Sequence, residues 1–258
     1  MASLTVGSLF SGIGGLDLGL ERAGHRVIWH SEIDDYACRV LKKHWPHVPN
    51  IGDVKKVNWS EVPNVDIIAG GYPCQPFSQA GKRKGKEDPR HLWPYVLDAI
   101  RAIRPRYALM ENVRGHLTLG FGDVLADLAS CGYSAEWQII PASSVGAPHR
   151  RDRLFFVAYS DDAGSGASER GVDGKRSPRL VCGDDSFDGI SGRGSVLAYP
   201  TRGENGSPVG TWWETEPDVG RVAHGIPARV DRLRGLGNAV VPQVAEIVGR
   251  LIAEHADN

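Results

Sequence analysis

Short, strongly apolar runs recur along this chain, and most are followed by a turn and then by residues at helical spacing. That rhythm restricts the 258 residues to one large α/β domain with at most a small appendage. The strands expected are Leu4–Phe10, Arg26–Glu32, Val65–Ala69, Tyr107–Met110, Tyr133–Ile140 and Leu154–Ala158. The helices expected are Leu16–Ala23, ended by Gly24, Asp34–Lys43, His91–Ile103, stopped ahead of Pro105, and Phe121–Cys131. A last helix carries Val240, Val241, Val244, Ile247, Val248, Leu251 and Ile252 as a core stripe. Between Ser160 and about Pro208, Gly, Ser, Asp and Arg displace large apolar residues, the pattern of a long loop or a small irregular subdomain.

Composition narrows the partners. The net charge is −1, so any polyanion site must be a local one. No apolar run approaches 18 residues, so no membrane span is expected, and Met1-Ala2-Ser3 leads into a strand rather than a secretory signal. Cys38, Cys74, Cys131 and Cys182 show no metal-ligand spacing, so neither zinc nor another metal is expected, nor a disulfide framework.

Chemistry collects at the ends of the strands, where open α/β sheets gather their ligands. Val65–Ala69 runs into Gly70-Gly71-Tyr72-Pro73-Cys74-Gln75-Pro76-Phe77-Ser78 and then into the basic run Lys82-Arg83-Lys84-Gly85-Lys86. Pro73 and Pro76 fix the path around the cysteine, which suits positioning better than simple burial. The first strand breaks into Ser11-Gly12-Ile13-Gly14-Gly15. This turn fits either a backbone cradle for a ligand or a tight connection, and Asp17 stands where the dinucleotide fingerprint requires a third glycine. Glu32 lies 20 residues after Gly12, the offset at which an acid can take ribose hydroxyls, although a solvated strand end reads the same way. Asp53 offers a further carboxylate, able to accept from an exocyclic amine. Glu111 stands at the same sheet edge as Cys74, and three arginines with one aspartate fill Arg150–Arg153.

Five of these stretches together resemble the DNA cytosine C5-methyltransferases, in the short form of phages and prokaryotes. They are Phe10-Ser11-Gly12-Ile13-Gly14-Gly15, Pro73-Cys74-Gln75-Pro76-Phe77-Ser78, Glu111-Asn112-Val113, Arg151-Asp152-Arg153 and Gly237-Asn238-Ala239-Val240-Val241-Pro242. The resemblance spans residues 4–158 and 211–258. It implies a class I S-adenosylmethionine-dependent fold, Rossmann-like, with a mostly parallel sheet and helices on both faces. Residues 1–159 would form the catalytic and cofactor-binding core, 160–210 a small target-recognition region, and 211–258 a return segment whose helix completes the core.

The resemblance also implies roles. The cofactor would be S-adenosyl-L-methionine. Phe10 would stack on its adenine, Gly12 and Gly14 would admit its methionine moiety, Glu32 would hold the ribose and Asp53 the adenine amine. Leu92, Asn238 and Val240 would close that pocket. Cys74 would be the nucleophile, Glu111 the acid at the base, Arg153 the contact to the cytosine O2, and Arg151 the support of Glu111 and the closed loop. Pro73, Gln75, Ser78, Lys82 and Arg83 would form the substrate loop. The partner would be double-stranded DNA, the protein a monomer in the cytoplasm of a bacterium or phage-infected host, and the setting restriction–modification. Two alternatives are an RNA cytosine methyltransferase and a catalytically silent homologue. Departures from the family pattern are His149 in place of the usual Gln, a weak match over Ile226–Arg234, and a recognition region of only about 50 residues, which implies a short or relaxed target.

Overall fold

The computed structural model describes residues 2–73, 92–160 and 229–257. Six strands form one sheet: β1 Thr5–Leu9, β2 Arg26–Ser31, β3 Ile67–Gly70, β4 Tyr107–Val113, β5 Tyr133–Ile140 and β6 Arg153–Ser160. Their spatial order is β2-β1-β3-β4-β6-β5. β1 pairs in parallel with β2 and β3, and β3 with β4, while β6 lies antiparallel between β4 and β5. Only β6 therefore opposes the other five, and the sheet is the mostly parallel one expected.

Among the described residues six α-helices accompany the sheet: α1 Gly15–Arg22, α2 Asp35–His44, α3 Trp93–Ile103, α4 Phe121–Ser130, α5 Arg229–Asn238 and α6 Pro242–Ala256. Local chemistry sets their ends. The Asp34 side chain caps α2 by accepting from the Ala37 N–H at 2.9 Å, and Lys42, Lys43 and His44 complement the negative end of its dipole. α3 starts with Pro94 in its first turn and ends at Arg104, in the left-handed region ahead of Pro105.

Apolar clusters cover both faces of the sheet. On one, Val96 and Ile100 of α3 and Phe121 and Leu128 of α4 pack against Met110, Leu154 and Phe156. On the other, Leu16 and Leu20 of α1 and Val244, Val248 and Ile252 of α6 pack against Val6, Val27, Ile67 and Leu109. Each such side chain contributes roughly 1.5–3 kcal/mol when fully buried. Near contact of α1 and α6 depends on Gly19, where a Cβ would lie 2.4 Å from both Ala245 Cβ and Pro242 O.

Several expected boundaries move, two of them for a clear reason. β4 runs on through Glu111, Asn112 and Val113, because the pairing with β6 continues opposite Phe155, Leu154 and Arg153. Val240 and Val241 precede the last helix instead of belonging to it. Pro242 in the first turn of α6 lacks the N–H needed to continue a helix from α5, so the chain breaks there. The region 160–210 lies, apart from Ser160, outside the described residues. Among the described residues no helix is long and apolar enough to cross a membrane, and no group of three or more His, Cys, Asp and Glu could hold a metal ion.

Candidate active site

The carboxyl ends of β1, β2, β3 and β4 open into one cleft of about 440 Å³. Its walls include Phe10, Gly12, Glu32, Asp53, Pro73, Leu92, Glu111, Arg153, Asn238 and Val240, residues distant in sequence that the sheet brings together.

The turn after β1 shapes the first wall. Phe10 holds φ at 52°, uncommon for a bulky residue, and Gly12 follows at 56°. Glu32, at the end of β2, binds this turn: its Oε2 accepts from the Gly12 N–H at 2.7 Å, and its Oε1 accepts from the N–H groups of Ile33 and Asp34 at 2.8 Å. A carboxylate offers about four acceptor positions, so capacity remains for a hydroxyl in the cleft. Asp53 follows Gly52, and its Oδ1 accepts from the Lys55 N–H. Leu92 sits at the start of α3, and Asn238 and Val240 border the break between α5 and α6. Gly15 is as important here as Gly12, because a Cβ there would lie 2.3 Å from Val240 O. Gly14 takes another place from the one expected. It is outside the cleft wall, and a Cβ would meet the Trp45 ring at 2.4 Å.

The opposite wall carries charge in a dry setting. Glu111 is 9% exposed, and its Oε1 lies 2.9 Å from Arg153 Nε. Antiparallel pairing of β4 with β6 sets the two on one edge. Burial pushes the Glu111 carboxyl up to about 7, against the opposing pull of Arg153 and Arg151. Such a group holds a proton near neutrality and can donate it. Arg151 is not on the cleft wall. Its Nη2 donates to Gly237 O at 2.6 Å and Ala239 O at 2.8 Å, tying the 237–239 segment to β6 while its charge still acts on Glu111.

β3 ends at Gly70, and Gly71-Tyr72-Pro73 continue along the cleft. Cys74, Gln75, Ser78, Lys82 and Arg83 lie outside the described residues. Sequence reasoning assigned no role to Tyr72, Asn112 or His116, which surround this exit: Asn112 Nδ2 donates to Tyr72 O at 3.3 Å, and the Tyr72 hydroxyl lies 2.6 Å from His116 Nε2. The signal open to it was a tyrosine between Gly71 and Pro73, and a histidine three residues after Val113.

A mostly parallel sheet with helices on both faces, a glycine turn after β1 and an acid after β2 make the α/β architecture of S-adenosylmethionine-dependent methyltransferases. The sequence profile of the C-5 cytosine-specific DNA methylases matches residues 4–178, and this chain belongs to that family. It is similar to the type II methyltransferase M.BsuFI of Bacillus subtilis, 37% identical over 166 residues, covering 62% of this chain and 40% of that protein. It is similar also to M.Eco47II of Escherichia coli, 40% identical over 170 residues, covering 63% and 41%. Matched stretches thus span less than half of these relatives. Among solved structures it resembles a mutant of DNMT2 from Spodoptera frugiperda, with 25% identity and a TM-score of 0.54, over 69% of this chain and 56% of that one.

Proposed function

We propose that this chain is a DNA cytosine C5-methyltransferase, moving a methyl group from S-adenosyl-L-methionine to C5 of a cytosine flipped out of double-stranded DNA. The observation that carries the reading is the buried Glu111 paired with the half-buried Arg153, beside the exit of β3 at Gly71, three residues before Cys74, in the same cleft as Glu32. The family's description as cytosine-specific DNA methylases favours DNA over RNA.

S-adenosyl-L-methionine, when bound, supplies an electrophilic methyl on a sulfonium. The cleft fits it: Glu32 keeps acceptor capacity for ribose hydroxyls, Asp53 supplies an acceptor for an amine, Phe10 supplies an aromatic face, and the backbone at Gly12 leaves room. Asn238 and Val240 close the side next to α1.

Cytosine C5 is a weak nucleophile. The Cys74 thiolate adds to C6, forming an S–C6 bond while electron density moves toward N3 and C5. Glu111 donates its proton to N3, and Arg153, which holds Glu111, donates to the neighbouring O2. The enamine-like C5 is then able to take a methyl from the sulfonium, whose bonding electrons would stay on sulfur as the neutral thioether. Loss of the C5 proton to water and cleavage of S–C6 return the thiolate, and N3 returns its proton to Glu111. The target carbon is inaccessible within a duplex, so the base must leave the stack. We assign recognition to residues 160–210, where Arg170, Lys175, Arg176, Arg179, Arg193 and Arg202 suit phosphate contact, and infer a short or degenerate target.

The test is transfer of radiolabelled methyl to duplex DNA, single-stranded RNA and transfer RNA in parallel. Label in 5-methylcytosine of DNA is expected. Label confined to RNA selects the RNA reading, and none in any substrate selects the silent homologue.

A further inference from the structure

Tyr72 and His116 are 44 residues apart in sequence and buried against each other, Tyr72 at 3% exposure and His116 at 0%. His116 Nδ1 lies 2.9 Å from Leu119 O. A carbonyl only accepts, so Nδ1 carries the proton in the neutral ring and Nε2 is left with a lone pair. The Tyr72 hydroxyl, 2.6 Å from Nε2, is therefore the donor. The result is a directional chain from Tyr72 through His116 to the backbone just after β4.

Everything else around Tyr72 holds the same few residues. Its ring packs edge-on or tilted against Trp93, His116 and Phe156. Its carbonyl accepts from Asn112. Gly71, one residue earlier, passes so close to Glu111 that a Cβ would lie 2.9 Å from Oε2. Side chain and main chain at the exit of β3 are thus fastened to one short segment, 111–116, which contains the acid of the proposed reaction. Core packing alone explains the ring. It does not explain a buried hydroxyl matched to a buried imidazole of fixed tautomer, since Phe would fill the same space with no polar group to satisfy.

We propose that Tyr72 and His116 are a positioning pair for the proposed reaction, holding the exit of β3, Gly71–Pro73, against the acid Glu111. The inference rests on the methyltransferase reading above. Neither residue touches the reacting atoms. Small displacements of reacting groups cost large factors in rate, so the pair is expected to act on the covalent step and to leave cofactor binding alone.

The test is the single-turnover rate of covalent adduct formation with duplex DNA containing 5-fluorocytosine plus S-adenosyl-L-methionine, with cofactor Kd and thermal stability measured on each variant. Tyr72→Phe is expected to slow the adduct at least tenfold and to leave cofactor Kd within twofold. His116→Gln, whose amide oxygen can accept from Tyr72, is expected to recover most of the rate, and His116→Phe is not. The double variant Tyr72→Phe with His116→Phe removes both polar partners, so stability is expected to return toward wild type while the adduct stays slow. An adduct rate that follows stability through all four variants, or a Tyr72→Phe rate equal to wild type, overturns the positioning role. No adduct on the wild-type protein overturns the methyltransferase reading, and the pair's role with it.

Discussion

Asp17 predicts an unusual pH dependence of stability. It lies in the first turn of α1 with 0% exposure, and neither carboxyl oxygen has a hydrogen-bond partner. Ser8 Oγ, also buried, lacks one as well. Burial raises the Asp17 carboxyl from 3.8 to about 7, Glu21 and Glu32 push the same way, and the neighbouring Ser8 hydroxyl opposes them. The folded state keeps this proton while the unfolded chain loses it near pH 4. Folding is therefore unpenalised below the unfolded value, loses stability as pH rises toward 7, and carries the full penalty above it. A shift of about three pH units at ~1.4 kcal/mol each amounts to about 4 kcal/mol. Asp17→Asn, of the same shape and always neutral, is expected to match wild type near pH 4 and to exceed it by up to about 4 kcal/mol above pH 7. Urea unfolding from pH 4 to 8.5 on both proteins reads this directly. Glu111, raised in the same range, is common to both and cancels in the difference. A gap that stays constant with pH, or no gap at pH 8, refutes a buried, proton-holding Asp17.

Three further outcomes follow from the site. Since Glu111 holds its proton up to about 7 and is proposed to donate it to a base attacked by the Cys74 thiolate, single-turnover methylation is expected to fall at alkaline pH once Cys74 is fully ionised, about tenfold per pH unit, and Glu111→Gln to abolish this limb along with most of the rate. Glu32→Ala removes three accepted N–H bonds as well as the proposed ribose contact, so S-adenosyl-L-methionine is expected to bind about 1–3 kcal/mol more weakly by calorimetry. Gly19→Ala forces a methyl onto Ala245 and Pro242 O, and thermal denaturation is expected to show a loss of roughly 1–3 kcal/mol, with α6 the first element to exchange its amides.

The strands were legible because their buried residues form continuous apolar runs, as in Val65–Ala69 and Tyr107–Met110. The same signal failed where chemistry interrupts it. Glu111 and Asn112 are polar, so the apolar run stops at Met110 although the ladder with β6 continues to Val113. Val240 and Val241 extend the period of α6 backward, and only the missing N–H of Pro242 separates them from it. Glu32 was readable by its distance from Gly12, but its hold on the glycine turn was not, because that bond closes only when β1 and β2 pair. Arg151 was readable as a charge near Glu111, whereas its two carbonyl partners come from a segment 86–88 residues away. Tyr72 and His116 carry no local pattern at all, and their bond exists only because β3 and β4 are neighbours.

Covalent attack by Cys74 is tested most directly by a mass measurement. Protein incubated with 5-fluorocytosine duplex and S-adenosyl-L-methionine cannot complete elimination, because fluorine at C5 does not leave as a cation. Wild type is expected to gain the mass of the methylated strand, and Cys74→Ser to gain none while still binding the cofactor. An equal adduct on Cys74→Ser, or on wild type through another residue, would contradict the account.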